Sequence, residues 1–381
     1  MKEAEQVNSY STVDIHDLIV LETDESFPWL ADWEGALGDL STFCGSLTHS
    51  GSPVRLRVKY VRRLKKDGTR QIGSGIAVDG ESVFDLRYRA RLSTPSPASI
   101  TIETDNPCLE WLKWILQLAL LRTDATLVHA AALEWDCGAL IIPSWGGVGK
   151  TALSAGLLKE AGWTFLADDL VIISREGECY GFPKPLILYP YHRSLFPEEF
   201  ARRKRVMTPV RWLSPMARLA LIAKPLVRRS PSLLQFLRKH NPQSFAARPS
   251  QVFGESKLSL HSPIRSVVWL DRVGNAPEPA LATLSSADMA SRVMGATLSD
   301  FDEHCTQCIS AGMGLGILHA DDIYARWQRI LENAFRNAAV HKLNLPQDLA
   351  ITSLTLLTKD ILRKSLETAT PVRRDESWPT A

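Results

Sequence analysis

Ile141-Ile142-Pro143-Ser144-Trp145-Gly146-Gly147-Val148-Gly149-Lys150-Thr151 is the stretch that decides how this chain is read. A short apolar strand over 138–142 ends in a glycine-rich turn, and helix-forming residues follow over 151–161. Holding a phosphate takes backbone N–H groups that converge on its oxygens, which glycine-rich backbone allows at close range. It also takes a cationic side chain for the terminal phosphates and a hydroxyl beside the Mg²⁺ that bridges them. Gly146, Gly147 and Gly149 meet the first need, Lys150 the second and Thr151 the third. The helix beginning there adds the partial positive charge of its N-terminus. Ser144 stands where G-x-x-x-x-G-K-[ST] has its first glycine, and it can hold that turn only with a negative φ.

Working outward, 125–133 reads as a strand carrying His129. Runs at 164–166 and 170–174 flank Asp168-Asp169. Strand, glycine loop, helix, strand is the order of a phosphate-binding α/β unit. Parallel strands bring their C-terminal ends together, so the Asp pair returns beside the loop. One acid can then hold Mg²⁺ while the other accepts a proton from an incoming hydroxyl.

These residues resemble a known family. His129-Ala130-Ala131-Ala132, the core Gly147-Val148-Gly149-Lys150-Thr151, Gly162-Trp163, Ala167-Asp168-Asp169-Leu170-Val171 and Gly181-Phe182-Pro183-Lys184-Pro185 stand in the order seen in HPr kinase/phosphorylase and its HPr-kinase-like relatives. The resemblance covers roughly 125–190. It implies an α/β P-loop catalytic domain of the phosphoenolpyruvate-carboxykinase type. It also implies an ATP- and Mg²⁺-dependent kinase acting on a serine hydroxyl of a peptide or protein, some relatives modifying ribosomally made peptides such as lasso peptides. In that reading the loop, Ser144 and Trp145 included, binds the nucleotide with Lys150. Thr151 and Asp169 serve the metal, Asp168 is the base, and His129 orients it. The family's glycine-rich signature loop with its arginine has no counterpart here. Glu198 and Glu199 are the candidates for its further acidic metal ligand. A nucleotide-binding regulatory module and a small-molecule kinase are the alternatives.

The rest of the chain frames this core. Its 381 residues suggest two domains, and 45% hydrophobic with 23% charged residues is ordinary for a globular protein. Residues 1–105 are β-rich, with the clean alternation Val54-Arg55-Leu56-Arg57-Val58-Lys59-Tyr60 and a turn at Asp67-Gly68. A helix is expected over 107–121. The blocks are then 106–200 for the P-loop core, 201–249 for a basic helical insertion, 250–345 for the remainder of the catalytic domain, and 346–381 for a last helix and tail. Further helices are expected near 286–293 and 321–338.

Residues 201–249 hold 12 Lys or Arg and no Asp or Glu. That composition fits a docking surface for an acidic peptide or protein, or a helix lying on anionic lipid. Sparse aromatic interleaving argues against nucleic acid. Six scattered cysteines make no disulfide framework, and the one C-x-x-C at 305–308 lacks the second pair that structural zinc needs. Gly312-Met313-Gly314-Leu315-Gly316 reads as a turn, and Asp321 or Asp322 as the cap of the following helix. The eleven tryptophans are expected in core and interfaces. No signal sequence or membrane span is expected, the location is read as cytoplasmic, and a homo-oligomer is compatible with the sequence.

Overall fold

The computed structural model describes residues 10–24, 53–61, 64, 68–73, 75–79, 81–87, 89–96, 99–105, 110–136, 138–182, 184–207, 245–274, 278–301 and 303–367. The architecture is mixed α/β with two large sheets. The chain divides into two compact units. One comprises Met1–Ala119, Pro183–Glu255 and Asp302–His319, the other Leu120–Phe182, Ser256–Phe301 and Ala320–Ala381.

The first unit holds an eight-stranded sheet. Its strands are β1 (Tyr10–Ile15), β2 (Ile19–Asp24), β3 (Val54–Tyr60), β4 (Arg70–Gly73), β5 (Ile76–Val78), β6 (Ser82–Asp85), β7 (Ala90–Ser96) and β8 (Ser99–Thr104), in the order β1-β2-β3-β8-β7-β6-β5-β4. β3 has the bounds its alternation predicts. Val54, Leu56 and Val58 turn to the core with Ile100 and Ile102 of the neighbouring β8, while Arg55 faces water. Helix α1 (Glu110–Arg122) follows and carries the buried Trp114.

The second unit is built on a nine-stranded sheet. Its members are β9 (Ala125–Val128), β10 (Ala130–Trp135), β11 (Gly138–Pro143), β12 (Trp163–Ala167), β13 (Val171–Ser174), β14 (Glu178–Gly181), β17 (His261–Val273), β18 (Ala280–Thr283) and β19 (Ala339–Pro346). Between β11 and β12 lies α2 (Lys150–Leu157). β11 is buried along its whole length, because β10 and β17 flank it and helices cover its neighbours. α2 also approaches the C-terminal helix closely at Gly156, where a Cβ would lie 1.8 Å from Thr355 Oγ1. A glycine inside a helix costs roughly 1 kcal/mol, and here the close contact offsets it.

The segment Pro183–Glu255 of the first unit includes β15 (Leu186–Leu188), α3 (Pro197–Met207), β16 (Phe245–Ala247) and α4 (Pro249–Phe253), with β15 and β16 forming a small antiparallel pair. The remaining helices are α5 (Ser286–Asp300), α6 (Glu303–Gly314), α7 (Arg326–Ala334) and α8 (Ile351–Glu367). Within the first unit α6 packs on β5 and β6, and Cys308 Sγ donates to Asp85 at 3.8 Å. No helix among the described residues is long and apolar enough to cross a membrane.

Several expectations change. The run 125–133 is two strands broken at His129, and α2 ends at Leu157 rather than at 161. α6 runs through Gly312 and Gly314, and only Gly316 turns, with φ 71°. Asp321 and Asp322 lie inside the first turn of a π-helical segment whose cap position is Ala320, without a side-chain cap. The compact units do not follow the consecutive blocks read from composition. β11 pairs with β17 across more than a hundred residues (Ile141 opposite Val267), which draws distant segments into one unit. Most of the basic stretch, 208–244, lies outside the described residues, as do the tail 368–381 and the side chains of His304 and Cys305.

Candidate active site

The second sheet explains why three separate segments meet. β10 pairs antiparallel with both β11 and β12, with Ala130 opposite Pro143 and Ala132 opposite Ala167. β11 and β12 therefore run parallel to each other, and both end where β10 begins. The loop after Pro143, the Asp pair after Ala167 and His129 before Ala130 share that one edge. β9 and β13 also meet there, Val128 opposite Val171. The chain thus leaves one pair of strands for another at His129 and again across 168–170. The His129 N–H turns out of the ladder at this break and donates to Thr297 Oγ1 of α5 at 3.0 Å.

The loop has an anion-binding shape. Gly147 and Gly149 have φ of 80° and 119°, a region that side chains rarely tolerate. Ser144 is absent from the positive-φ residues, as its place at the first loop position requires. Trp145, Gly146 and Gly147 are exposed, and a Cβ on either of those two glycines would meet nothing within 4 Å. Gly149 caps α2 without any side-chain hydrogen bond, and no acid stands in the first turn. The N-terminal amides of α2 therefore keep their partial positive charge for an anion. On the far side, Arg272 of β17 donates from Nε to Val148 O at 3.1 Å and from Nη1 to Gln347 O and Leu349 O at 2.8 and 3.0 Å. This clamps the loop to the segment after β19.

Lys150 is 8% exposed. Its ammonium donates to Ser144 O (3.1 Å), Ser144 Oγ (3.2 Å) and Trp145 O (3.3 Å), and lies 2.8 Å from His129 Nε2. Burial lowers its pKa to about 8, against the charges of Asp168 and Asp300, which raise it. When Nε2 accepts from the ammonium, the ring proton of His129 sits on Nδ1. That nitrogen faces Asp169 Oδ1 at 3.6 Å and Asp300 Oδ1 at 3.5 Å. Thr151 Oγ1 donates to Asp168 Oδ2 at 2.8 Å. Asp168 is buried, whereas the Asp169 side chain is 36% exposed and its backbone is left-handed, with φ 73°.

Two donor sets suit a divalent cation. Thr151 and Asp168 put a hydroxyl and a carboxylate together beside the loop. His129, Asp169 and Asp300 bring donor atoms within 4.8 Å of one another, but this set can hold a cation only when Nδ1 carries no proton, which excludes the tautomer whose Nε2 accepts from Lys150. The open cradle over Gly146 and Gly147, the uncapped helix start and the buried lysine fit a nucleotide's phosphates.

No protein-family model matches this chain, and no curated protein matches it. Among solved structures it is similar to the Hpr(Ser) kinase/phosphatase from Coxiella burnetii, with 11% identity, 63% of this chain and 95% of that chain covered, and a TM-score of 0.29. Similarity at that level leaves the chemistry to the site's own geometry.

All eight loop residues, His129, Asp168 and Asp169 belong to the second unit. Glu198 and Glu199 belong to the first, where Glu199 pairs with Arg202 at 3.0 Å. Three contributors escaped the sequence reading. Asp300 and Thr297 sit at the end of α5, and Arg272 at the end of β17. None carries a local motif: Arg272 reaches the loop through the pairing of β17 with β11, and Thr297 and Asp300 reach His129 through the packing of α5 on β9, each contact spanning more than a hundred residues of sequence.

Proposed function

We propose that the second unit binds Mg·ATP at 144–151 and transfers the γ-phosphoryl group to a hydroxyl of a peptide or protein, as an HPr-kinase-like P-loop kinase. The observation that carries this reading is the pair of contacts Thr151 Oγ1–Asp168 and Lys150 Nζ–His129 Nε2, both 2.8 Å. Together they gather cation, hydroxyl, carboxylate and imidazole from three sequence segments beside an open glycine loop.

The amides over 146–150 and the Lys150 ammonium hold the terminal phosphate oxygens. The hydrogen-bond partners of Lys150 are neutral, so no ion pair at its ammonium has to break when an anion arrives. Thr151 and Asp168 would hold the cation, which would supply dispersal of the charge that develops during in-line transfer. Asp169, the more exposed acid, takes the proton of the acceptor hydroxyl. His129 Nδ1 faces its carboxylate and couples it to Lys150. This reverses the division that the family resemblance implies, in which Asp168 is the base and Asp169 the metal's acid. The reversal rests on which acid touches Thr151.

The test is transfer from [γ-³²P]ATP to a library of serine-containing peptides. Wild type is expected to label peptides. Asp169→Asn should lose transfer yet keep Mg·ATP affinity, whereas Asp168→Asn should weaken Mg²⁺-dependent binding itself. Tight nucleotide binding by the wild type with no labelled peptide would move the reading to a regulatory nucleotide sensor.

A further inference from the structure

The side chain of Trp145 is not used by the phosphate-binding reading of the loop. It occupies the second position of the loop and is 47% exposed, while Trp114, Trp163, Trp269 and Trp327 are fully buried. Two glycines follow it, so no neighbouring side chain in the loop shields its ring. Yet the residue is held at both ends. Its indole packs edge-on against Trp269, centroids 6.0 Å apart at 89°. Its carbonyl accepts from Lys150 Nζ at 3.3 Å and from Ser144 Oγ at 3.0 Å. Trp269 itself is 1% exposed and lies two positions beyond Val267, which sits opposite Ile141 of the strand feeding the loop. Arg292 of α5 lies over the Trp269 ring, 6.0 Å from its centroid, and is exposed. α5 is also the helix that brings Thr297 and Asp300 to His129.

A rigid, half-exposed indole is the kind of surface on which a planar or apolar group of a partner packs. Its position says which partner. The Trp145 carbonyl touches the lysine head, and in the phosphotransfer reading that puts the residue at the end of the loop where the terminal phosphate meets the acceptor. The opposite side of the loop, at Val148, is the one clamped by Arg272. We propose that Trp145 reads the acceptor: a peptide whose reactive hydroxyl is flanked by an aromatic residue, which packs on the Trp145 indole. Arg292 makes the same wall unfavourable to a flanking lysine or arginine. This inference rests on the phosphotransfer reading above and adds to it the class of acceptor sequence.

The experiment uses the full-length protein, Mg·[γ-³²P]ATP, and peptides that differ only in the residue beside serine: Phe, Leu, Ala or Lys. Wild type is expected to favour Phe over Ala by roughly tenfold in kcat/KM, a gain of the size of one aromatic contact. Trp145→Ala should bring that ratio close to one, and Trp145→Phe should retain most of it. Because the readout is a ratio between peptides, it is insensitive to any change in nucleotide affinity or folded fraction. In parallel, Mg·AMPPNP and Mg·tripolyphosphate are titrated into wild type and Trp145→Ala. Equal changes for the two probes support an acceptor-side residue, and a loss confined to AMPPNP assigns the indole to the nucleobase and overturns the proposal. So does a Trp145→Ala enzyme that keeps the wild-type ratio, or a wild type that binds Mg·AMPPNP but shows no preference for Phe. A wild type that binds neither probe overturns the phosphotransfer reading itself.

Discussion

Glu22 in the first unit and Lys150 in the second are equally hidden from water, at 7% and 8% exposure, and the chain treats their charges in opposite ways. Glu22 meets full counter-charges: Arg55 Nη1 at 2.8 Å and Arg57 Nη2 at 2.7 Å, from the neighbouring strand. Lys150 meets two carbonyls, a hydroxyl and an imidazole, and among the described residues no carboxylate lies within ion-pair distance of its ammonium. Asp168 lies nearby but holds Thr151, while Asp169 and Asp300 face His129. Cross-strand neutralisation makes the first arrangement a part of the sheet. The second keeps charge close at hand but unspent, which is what a site needs if its counter-ion is to arrive as a ligand.

The sharpest way to break this contrast is Lys150→Met. Transfer activity should fall by roughly 10²–10³-fold or more, as when a charge-stabilising donor is removed from a reaction site. Stability should stay within about 1–2 kcal/mol of wild type, because removing a buried ammonium is opposed by leaving Ser144 O, Trp145 O and His129 Nε2 without their donor. Urea denaturation beside the kinetic assay reads both. A variant that loses stability well beyond that range along with activity would place Lys150 with Glu22, as a structural charge.

The pH dependence separates the two regions next. In the folded chain burial holds the pKa of Lys150 at about 8, below the 10.5 of an ordinary lysine. Between those values the unfolded chain binds more protons, so stability from this group rises with pH across that window and is lowest below about 8. Activity runs the other way: kcat/KM for Mg·ATP should decline as pH passes about 8 and the ammonium is lost. A pH–rate profile flat to pH 10 would contradict the role given to this lysine.

Thr297→Val tests the support of the site. It leaves the His129 N–H without its acceptor at the strand break, costing roughly 1–3 kcal/mol. Transfer should fall as well, since His129 loses its anchor. Glu22→Gln should have the smallest effect. It should cost about 1 kcal/mol in denaturation, in line with largely exposed arginine partners, and leave nucleotide affinity unchanged in calorimetry.

The legible part of the site was the part written locally. Pro143 to Thr151, and Asp168 with Asp169, carry their chemistry in adjacent residues, and β3 shows its bounds in strict alternation. The break at His129 left no mark, because 125–133 is apolar on both sides of the histidine. At the break the His129 N–H is taken up by Thr297, 168 residues away. α2 was read too long because Lys159, Glu160 and Ala161 are good helix formers. The chain spends them on a turn through Gly162, φ 84°, that lets β12 begin at Trp163 beside β10. Asp300 is hidden for a related reason: an acid at the end of an amphipathic helix is ordinary until the helix packs on β9 and brings it against a histidine.

In the proposed function the charge held by Lys150, beside Thr151 and Asp168, awaits a metal-bound triphosphate. Calorimetric titration of AMPPNP into the full-length protein, with Mg²⁺ and with EDTA, tests it most directly when run on wild type and on Lys150→Met. The account predicts saturable, Mg²⁺-dependent binding that the substitution weakens by about a hundredfold or more. Equal affinity in the two proteins, or wild-type binding indifferent to Mg²⁺, would contradict it.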